Sequence, residues 1–323
     1  MEKKSLVILT GPTAVGKTAL SLALAKQIGG EIVSADSMQV YRYMDIGSAK
    51  ISPKEMAGVP HHLINVLDPK ESFNVVMFQQ MAREAMEGIY SRGHIPILVG
   101  GTGFYIQAVV RDIDFTESKD DPVFRAACDE LIRKDGPEAL HEKLREIDPA
   151  SAEAIHPHNS KRVARALEYY HLTGRPISAH NREQQEKESP YAFAYFVLND
   201  KREKLYEQID RRVDGMLAEG LLDEVRSLVE MGCGRQQVSM QGLGYKELLE
   251  YLEGTISYEE AVYRIKRDTR HFAKRQITWF KRERDVIWVN KDNFDYDDRQ
   301  ILAFMTLAMA ERGIQKAIKE ERS

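Results

Sequence analysis

Gly11-Pro12-Thr13-Ala14-Val15-Gly16-Lys17-Thr18 fits the phosphate-loop spacing G-x-x-x-x-G-K-T, and its flanks constrain the fold as much as the loop itself. An apolar, β-prone run at 6–9 leads into it, and Leu20, Leu24 and Ile28 recur behind it at helical spacing. Strand, loop and helix in that order predict a diphosphate cradle in an α/β sheet. Successive backbone N–H groups of such a loop point inward, and the helix N-terminus adds partial positive charge. Lys17 is placed to reach bridging oxygens, and the Thr18 hydroxyl suits Mg²⁺. The ligand expected from these residues is a phosphorylated small molecule.

The first hundred residues continue the alternation, with strands expected at 31–35 and 95–99 and a helix at 72–90. From about residue 116 to 190 the sequence turns helical and polar, broken at Gly136-Pro137, Asp148-Pro149, His156-Pro157 and Gly174-Arg175-Pro176. A β-prone run at 192–198 then returns, an amphipathic helix carrying Leu205, Ile209, Val213 and Met216 follows, and 286–289 is again strand-like. The expected fold is therefore α/β, a P-loop NTPase-like parallel sheet flanked by helices. Its core is discontinuous, 1–115 plus 191–323 with C-terminal helices, and 116–190 form an all-helical insertion domain. A chain of 323 residues with 43% hydrophobic content can bury such a core, and no apolar run approaches the roughly 18–20 residues that span a bilayer. A cytosolic address without a membrane partner is expected. Cys128 and Cys233 lie far apart and form no C-x-x-C pair, which speaks against a disulfide framework or a zinc site and for reduced, inert thiols.

Residues 34–41, Ser-Ala-Asp-Ser-Met-Gln-Val-Tyr, follow the second strand. In an open α/β sheet the carboxyl ends of neighbouring strands share one crevice, so Asp36 is expected across from the phosphate loop. A carboxylate there suits Mg²⁺, proton acceptance from an attacking nucleophile, or simply the cap of the next turn. Ser37 and Gln39 offer donors and acceptors for a base edge. Gly100-Gly101-Thr102-Gly103-Phe104-Tyr105 reaches the same crevice after the third strand. No acid ends that strand, which disfavours attack of water on a γ-phosphate. Thr102 is suited to bond a diphosphate, and the glycines to admit its close approach. Adjacent His61 and His62 read as local hydrogen-bonding residues rather than catalysts.

The net charge of −4 argues by itself against a nucleic-acid partner, but two stretches are locally basic. Residues 258–285 hold nine Lys/Arg against five acids and 160–182 hold five against Glu168, a balance of +4 in each. The second is expected to be helical, with Val163, Leu167 and Tyr170 on its apolar face and a stop at Gly174. Either stretch alone is equally a solvated helix face; together, with Trp279 and Phe280 interleaved, they favour a polyanion such as RNA.

Five ordered motifs now stand in one chain: the loop 11–18, Asp36-Ser37-Met38-Gln39, the segment 100–105, Gln241-Gly242-Leu243-Gly244-Tyr245-Lys246, and Lys274-Arg275-Gln276-Ile277-Thr278-Trp279-Phe280-Lys281. The set resembles that of the bacterial tRNA dimethylallyltransferase family, from the N-terminus to about Trp288. The resemblance implies transfer of a dimethylallyl group from dimethylallyl diphosphate to N6 of the adenosine just 3′ of the anticodon, in tRNAs reading codons beginning with U, with Mg²⁺ as cofactor. It implies that the insertion clamps the anticodon stem-loop and that the chain acts as a monomer. Catalytic roles fall to Asp36 as proton acceptor and to Thr102, Lys17 and Arg212, with Arg212 as a cation on the diphosphate rather than a surface partner of Asp210 or Glu219. Gly11, Pro12, Thr13, Ala14, Val15, Gly16, Lys17 and Thr18 would bind the diphosphate, Thr18 also the metal. The tRNA contacts implied are Asp36, Ser37, Met38, Gln39, Thr102, Gly242, Gly244, Lys246, Lys274, Arg275, Gln276, Trp279 and Lys281, with Arg125, Lys161, Arg162 and Arg165 from the insertion. The zinc-finger extension of eukaryotic members is missing, in keeping with two cysteines. Competing readings are a small-molecule phosphate-loop kinase, a noncatalytic RNA-binding module, and a transferase acting on free adenylate, which needs neither insertion nor polyanion surface.

Overall fold

The computed structural model describes residues 3–115 and 121–314. The chain runs β1 (Lys4–Thr10), α1 (Lys17–Ile28), β2 (Gly30–Ser34), β3 (His61–His62), α2 (Val75–Ser91), β4 (Ile95–Gly100) and α3 (Gly103–Val110). Next come α4 (Pro122–Asp135), α5 (Pro137–Ile147), α6 (Pro149–Ala154), α7 (Ser160–Thr173) and α8 (Ile177–Glu186), then β5 (Tyr191–Asn199), α9 (Arg202–Ala218), α10 (Leu221–Glu230), α11 (Tyr245–Leu252), α12 (Tyr258–Phe280), β6 (Val286–Asn290) and α13 (Asp298–Ala310). Contacts divide it into two compact units, 1–110 with 190–323, and 111–189.

In the first unit the strands form one parallel sheet in the order β3-β2-β4-β1-β5-β6. Leu6, Val7, Ile8 and Leu9 are all buried, as a central strand covered on both faces requires, so β1 reads as an unbroken apolar run instead of an alternation. Leu6 and Ile8 join a core with α2, α3 and α11, whereas Val7 and Leu9 join one with α1, α9 and α13. The phosphate loop leaves β1 between the ends of β4 and β5, where the strand order turns. Helix α2 starts later than residue 72 because Asn74 caps it, accepting from Val76 N and Met77 N, both at 3.0 Å.

The short strand β3 had no sequence signal, being two histidines at the sheet edge. His61 Nδ1 lies 2.8 Å from Val59 O, and His62 Nε2 lies 2.7 Å from Glu31 Oε2. Glu31 is buried and also receives Arg92 and His94. Burial alone would raise its pKa, but these hydrogen bonds outweigh that and hold it at about 2.

In the second unit Cys128, Leu140, Leu144, Ala152, Val163, Ala166 and Leu167 form a separate core. The expected apolar face of α7 needs correction: Tyr170 is 36% exposed, and Tyr169, at 3%, is buried instead. Glu168 is also buried on that face, because Arg125 and Arg165 neutralise it, each at 2.8 Å. Both cysteines are free and buried, and burial pushes both thiols up.

Candidate active site

Within the first unit, the crevice at the carboxyl ends of the strands holds two cavities that share Thr13, Asp36 and Arg212 in their walls. The smaller, about 250 Å³, adds Lys17, Thr18 and Gln208; the larger, about 430 Å³, adds Met38, Thr102 and Lys246. Sequence positions 17, 36, 102 and 212 thus come together because β1, β2 and β4 end side by side and α9 returns over them.

Lys17 Nζ donates to Gly11 O at 3.0 Å and Pro12 O at 2.8 Å. Burial and the neighbouring Arg212 charge push its pKa down to about 7, with Asp36 opposing. Arg212 has no carboxylate within ion-pair distance among the described residues, since Asp210 is taken by Arg270 at 2.5 Å, and burial pushes its pKa down as well. Asp36 Oδ1 accepts from Met38 N at 2.8 Å, and its second oxygen has no hydrogen-bond partner among the described residues. The site therefore holds two half-buried basic groups, Lys17 and Arg212, beside one carboxylate. That arrangement suits a multiply charged phosphate ester with a proton to be removed close by.

Among the described residues no group of three His, Cys, Asp or Glu gathers to hold a metal. The Thr18 hydroxyl and Asp36 carboxylate fit a hard cation that keeps several waters and takes its remaining ligands from a diphosphate, the habit of Mg²⁺. Gln208, which the sequence did not flag, adds a buried side-chain oxygen with no partner to the same wall.

Several of the expected site residues also hold the walls of the site together. Gln276 is buried, its Oε1 accepting from Thr13 N and its Nε2 donating to Gly101 O, both at 2.9 Å, so it ties the loop at 11–18 to the end of β4 while lining both cavities. A Cβ on Gly100 would sit 2.2 Å from Ala35 O, and one on Gly101 2.1 Å from Gln276 Nε2, so both glycines admit close protein neighbours. Gln39 Oε1 accepts from Ser34 Oγ at 3.0 Å, and its Nε2 donates to Ser48 O and Ala49 O at 3.4 Å, which ties the amide to the wall of the smaller cavity. Gly242 packs on Met38, and Gly244 precedes α11 with its N–H held by Glu247 at 2.8 Å, so both shape the cavity through backbone. Ser37, Met38 and Thr102 do line the larger cavity.

The basic stretches also resolve into used and unused charge. On α12, Arg264, Lys266, Arg267 and Arg270 pair with Glu260, Asp214, Asp268 and Asp210. Towards its C-terminal end Lys274, Arg275 and the following Lys281 are exposed with no carboxylate partner among the described residues. Phe280 is buried and Trp279 half-buried, its ring against Gly103 and 6.2 Å from Phe104 and its accessible part beside Lys274 and Arg275. Lys246 lines the larger cavity 3.3 Å from Glu247. In the second unit Lys161 and Arg162 are exposed and unpaired among the described residues, whereas Arg125 and Arg165 serve Glu168.

A family model described as IPP transferase matches residues 39–283. A tRNA dimethylallyltransferase of Lachnoclostridium phytofermentans is 61% identical over 311 residues, 96% of this chain and 99% of the relative. A crystal structure of the tRNA isopentenylpyrophosphate transferase of Bacillus halodurans is 45% identical, with a TM-score of 0.73, covering 96% of this chain and 98% of that one. A eukaryotic dimethylallyltransferase captured acting on tRNA reaches a TM-score of 0.82 at 30% identity, covering 99% of this chain and 82% of that one.

Proposed function

The chain belongs to the IPP transferase family, and from that premise we propose that it transfers a dimethylallyl group from dimethylallyl diphosphate to N6 of the adenosine 3′ of the anticodon, in tRNAs reading codons that begin with U. The products are N6-isopentenyladenosine and diphosphate. The observation that carries this reading is the convergence of Lys17, Arg212 and Asp36 on one cavity.

The N6 lone pair attacks C1 of the allyl group, the C1–O bond breaks, and its electron pair leaves with the diphosphate. Lys17, Arg212 and the amides of the loop neutralise the charge that develops there, which is worth more in a cavity partly withdrawn from water than on an open surface. Thr102 adds a hydrogen bond to the diphosphate. The Thr18 hydroxyl would hold Mg²⁺ together with the diphosphate, and the ion would supply further neutralisation of the leaving group. Asp36 accepts the N6 proton through its unpartnered oxygen. An adenine amine is a weak nucleophile, so alignment of the two substrates in the larger cavity matters as much as basicity. The adenosine must leave its stack to enter. Lys161, Arg162, Lys274, Arg275 and Lys281 suit tRNA phosphates, with the insertion as clamp on the anticodon stem-loop. In this reading the enzyme works in the cytoplasm as a single chain.

Mass spectrometry of nucleosides from undermodified tRNA incubated with dimethylallyl diphosphate and Mg²⁺ tests this. N6-isopentenyladenosine is expected without ATP, falling by about 10²–10⁴-fold in Asp36→Ala. Product on free adenylate with none on tRNA would overturn the reading.

A further inference from the structure

Gly47, Ser48 and Ala49 line the two cavities, yet they belong to an irregular segment that no strand or helix fixes. Glu224, in the first turn of α10, fixes it. Its Oε2 accepts from Asp45 N and Ile46 N, both at 2.8 Å, and its Oε1 accepts from Gly47 N at 3.1 Å and from the Tyr245 hydroxyl at 2.7 Å. Three consecutive amides converging on one acceptor make an anion nest, here filled by the protein's own carboxylate. Tyr245 is wedged in place: a Cβ on Gly47 would lie 2.6 Å from its ring and one on Gly242 3.2 Å from it.

The far end of the same segment carries the turn that bears Asp36. Ser48 O and Ala49 O accept from Gln39 Nε2, Gln39 Oε1 accepts from Ser34 Oγ, and Asp36 Oδ1 accepts from Met38 N. Hydrogen bonds and a few backbone links therefore run without a gap from Glu224 to the proposed proton acceptor. The diphosphate grip at Lys17 and the loop amides shares none of these bonds.

We infer that Glu224 is a positioning residue for the transfer, holding the wall at 45–49 and through it the turn of Asp36 while touching neither substrate. The inference rests on the proposed transferase reaction. Glutamine in its place would offer one acceptor oxygen and turn an NH₂ group toward backbone N–H donors, so the nest opens while the volume is kept.

The experiment compares wild type, Glu224→Gln and Tyr245→Phe in single-turnover transfer to tRNA at saturating donor, in pyrophosphate affinity by calorimetry, and in melting temperature. Glu224→Gln is expected to slow transfer about tenfold or more with pyrophosphate affinity within about twofold of wild type. Tyr245→Phe, which removes one hydrogen bond and leaves the carboxylate, is expected to slow it about threefold. An unchanged rate, or a rate and a pyrophosphate affinity that fall together with the melting temperature, would overturn the assignment. If Glu224→Gln does not fold, Tyr245→Phe decides by the same criterion. No product from the wild type would count against the transferase reading, whereas a productive wild type with an unaffected variant counts against Glu224 alone.

Discussion

Lys17 ties the chemistry of single residues to an observable. A lysine held near 7 by burial and by Arg212 is about half protonated at neutral pH, and a diphosphate beside it favours the ammonium. The sign follows: the lysine's contribution to diphosphate affinity is fully present below pH 7, where the amine is already charged, and declines as pH rises above it. Calorimetry of pyrophosphate binding at pH 8, in two buffers of different ionisation enthalpy, should show uptake of about one proton, lost in Lys17→Met. Lys17 and Asp36 were legible in the sequence because a motif or a strand end announced each of them, whereas Arg212, inside α9, was named only through the family resemblance. Glu224 and Gln208 were not. An acid in Leu-Leu-Asp-Glu-Val-Arg looks like any solvated first-turn residue, and its partners at 45–47 lie in a stretch with no periodicity.

At the scale of elements, α12 shows why counting charges falls short of locating a surface. The balance of +4 over 258–285 is correct as a sum, but Asp210 and Asp214 on α9 and Glu250 on α11 take up much of its N-terminal half. Partners so distant in sequence cannot be phased onto a helix from its own residues. Cation removal should therefore act unevenly in tRNA binding titrated with salt. Lys274→Ala and Lys281→Ala should each lower the slope of log affinity against log salt by about 0.7–0.9 and weaken binding. Arg267→Ala, already paired with Asp268 at 2.8 Å, should leave the slope nearly unchanged. Trp279 and Phe280 fall on the inner side of this helix for a related reason: they follow its buried stripe, which packs on α3 and the cores of the sheet.

For the whole molecule, the two compact units have separate cores, and the second is organised around a buried carboxylate. Glu168→Gln removes one charge from a triad whose arginines are half-exposed, so the loss should be about 1–3 kcal/mol after allowing for solvent around the arginines. Hydrogen exchange should report it as faster exchange of the α4 and α7 amides with β1 and β4 unchanged. The sequence by itself determined the α/β class and the long strands, because periodicity and turn chemistry act between residues close in the chain. Motifs at recognisable strand ends also pointed to Lys17, Asp36 and Thr102, which line adjoining cavities, whereas Arg212 on α9 came only from the family resemblance. Only the tertiary structure decided which polar groups remain available. Gln39, Gln276, Arg125 and Arg165 are committed to partners brought from elsewhere, and Glu224 gains its place from three amides and a tyrosine that folding assembles. Hydrogen bonds between distant segments carry no sequence period, and a buried polar group must still be satisfied by whatever the fold brings within reach.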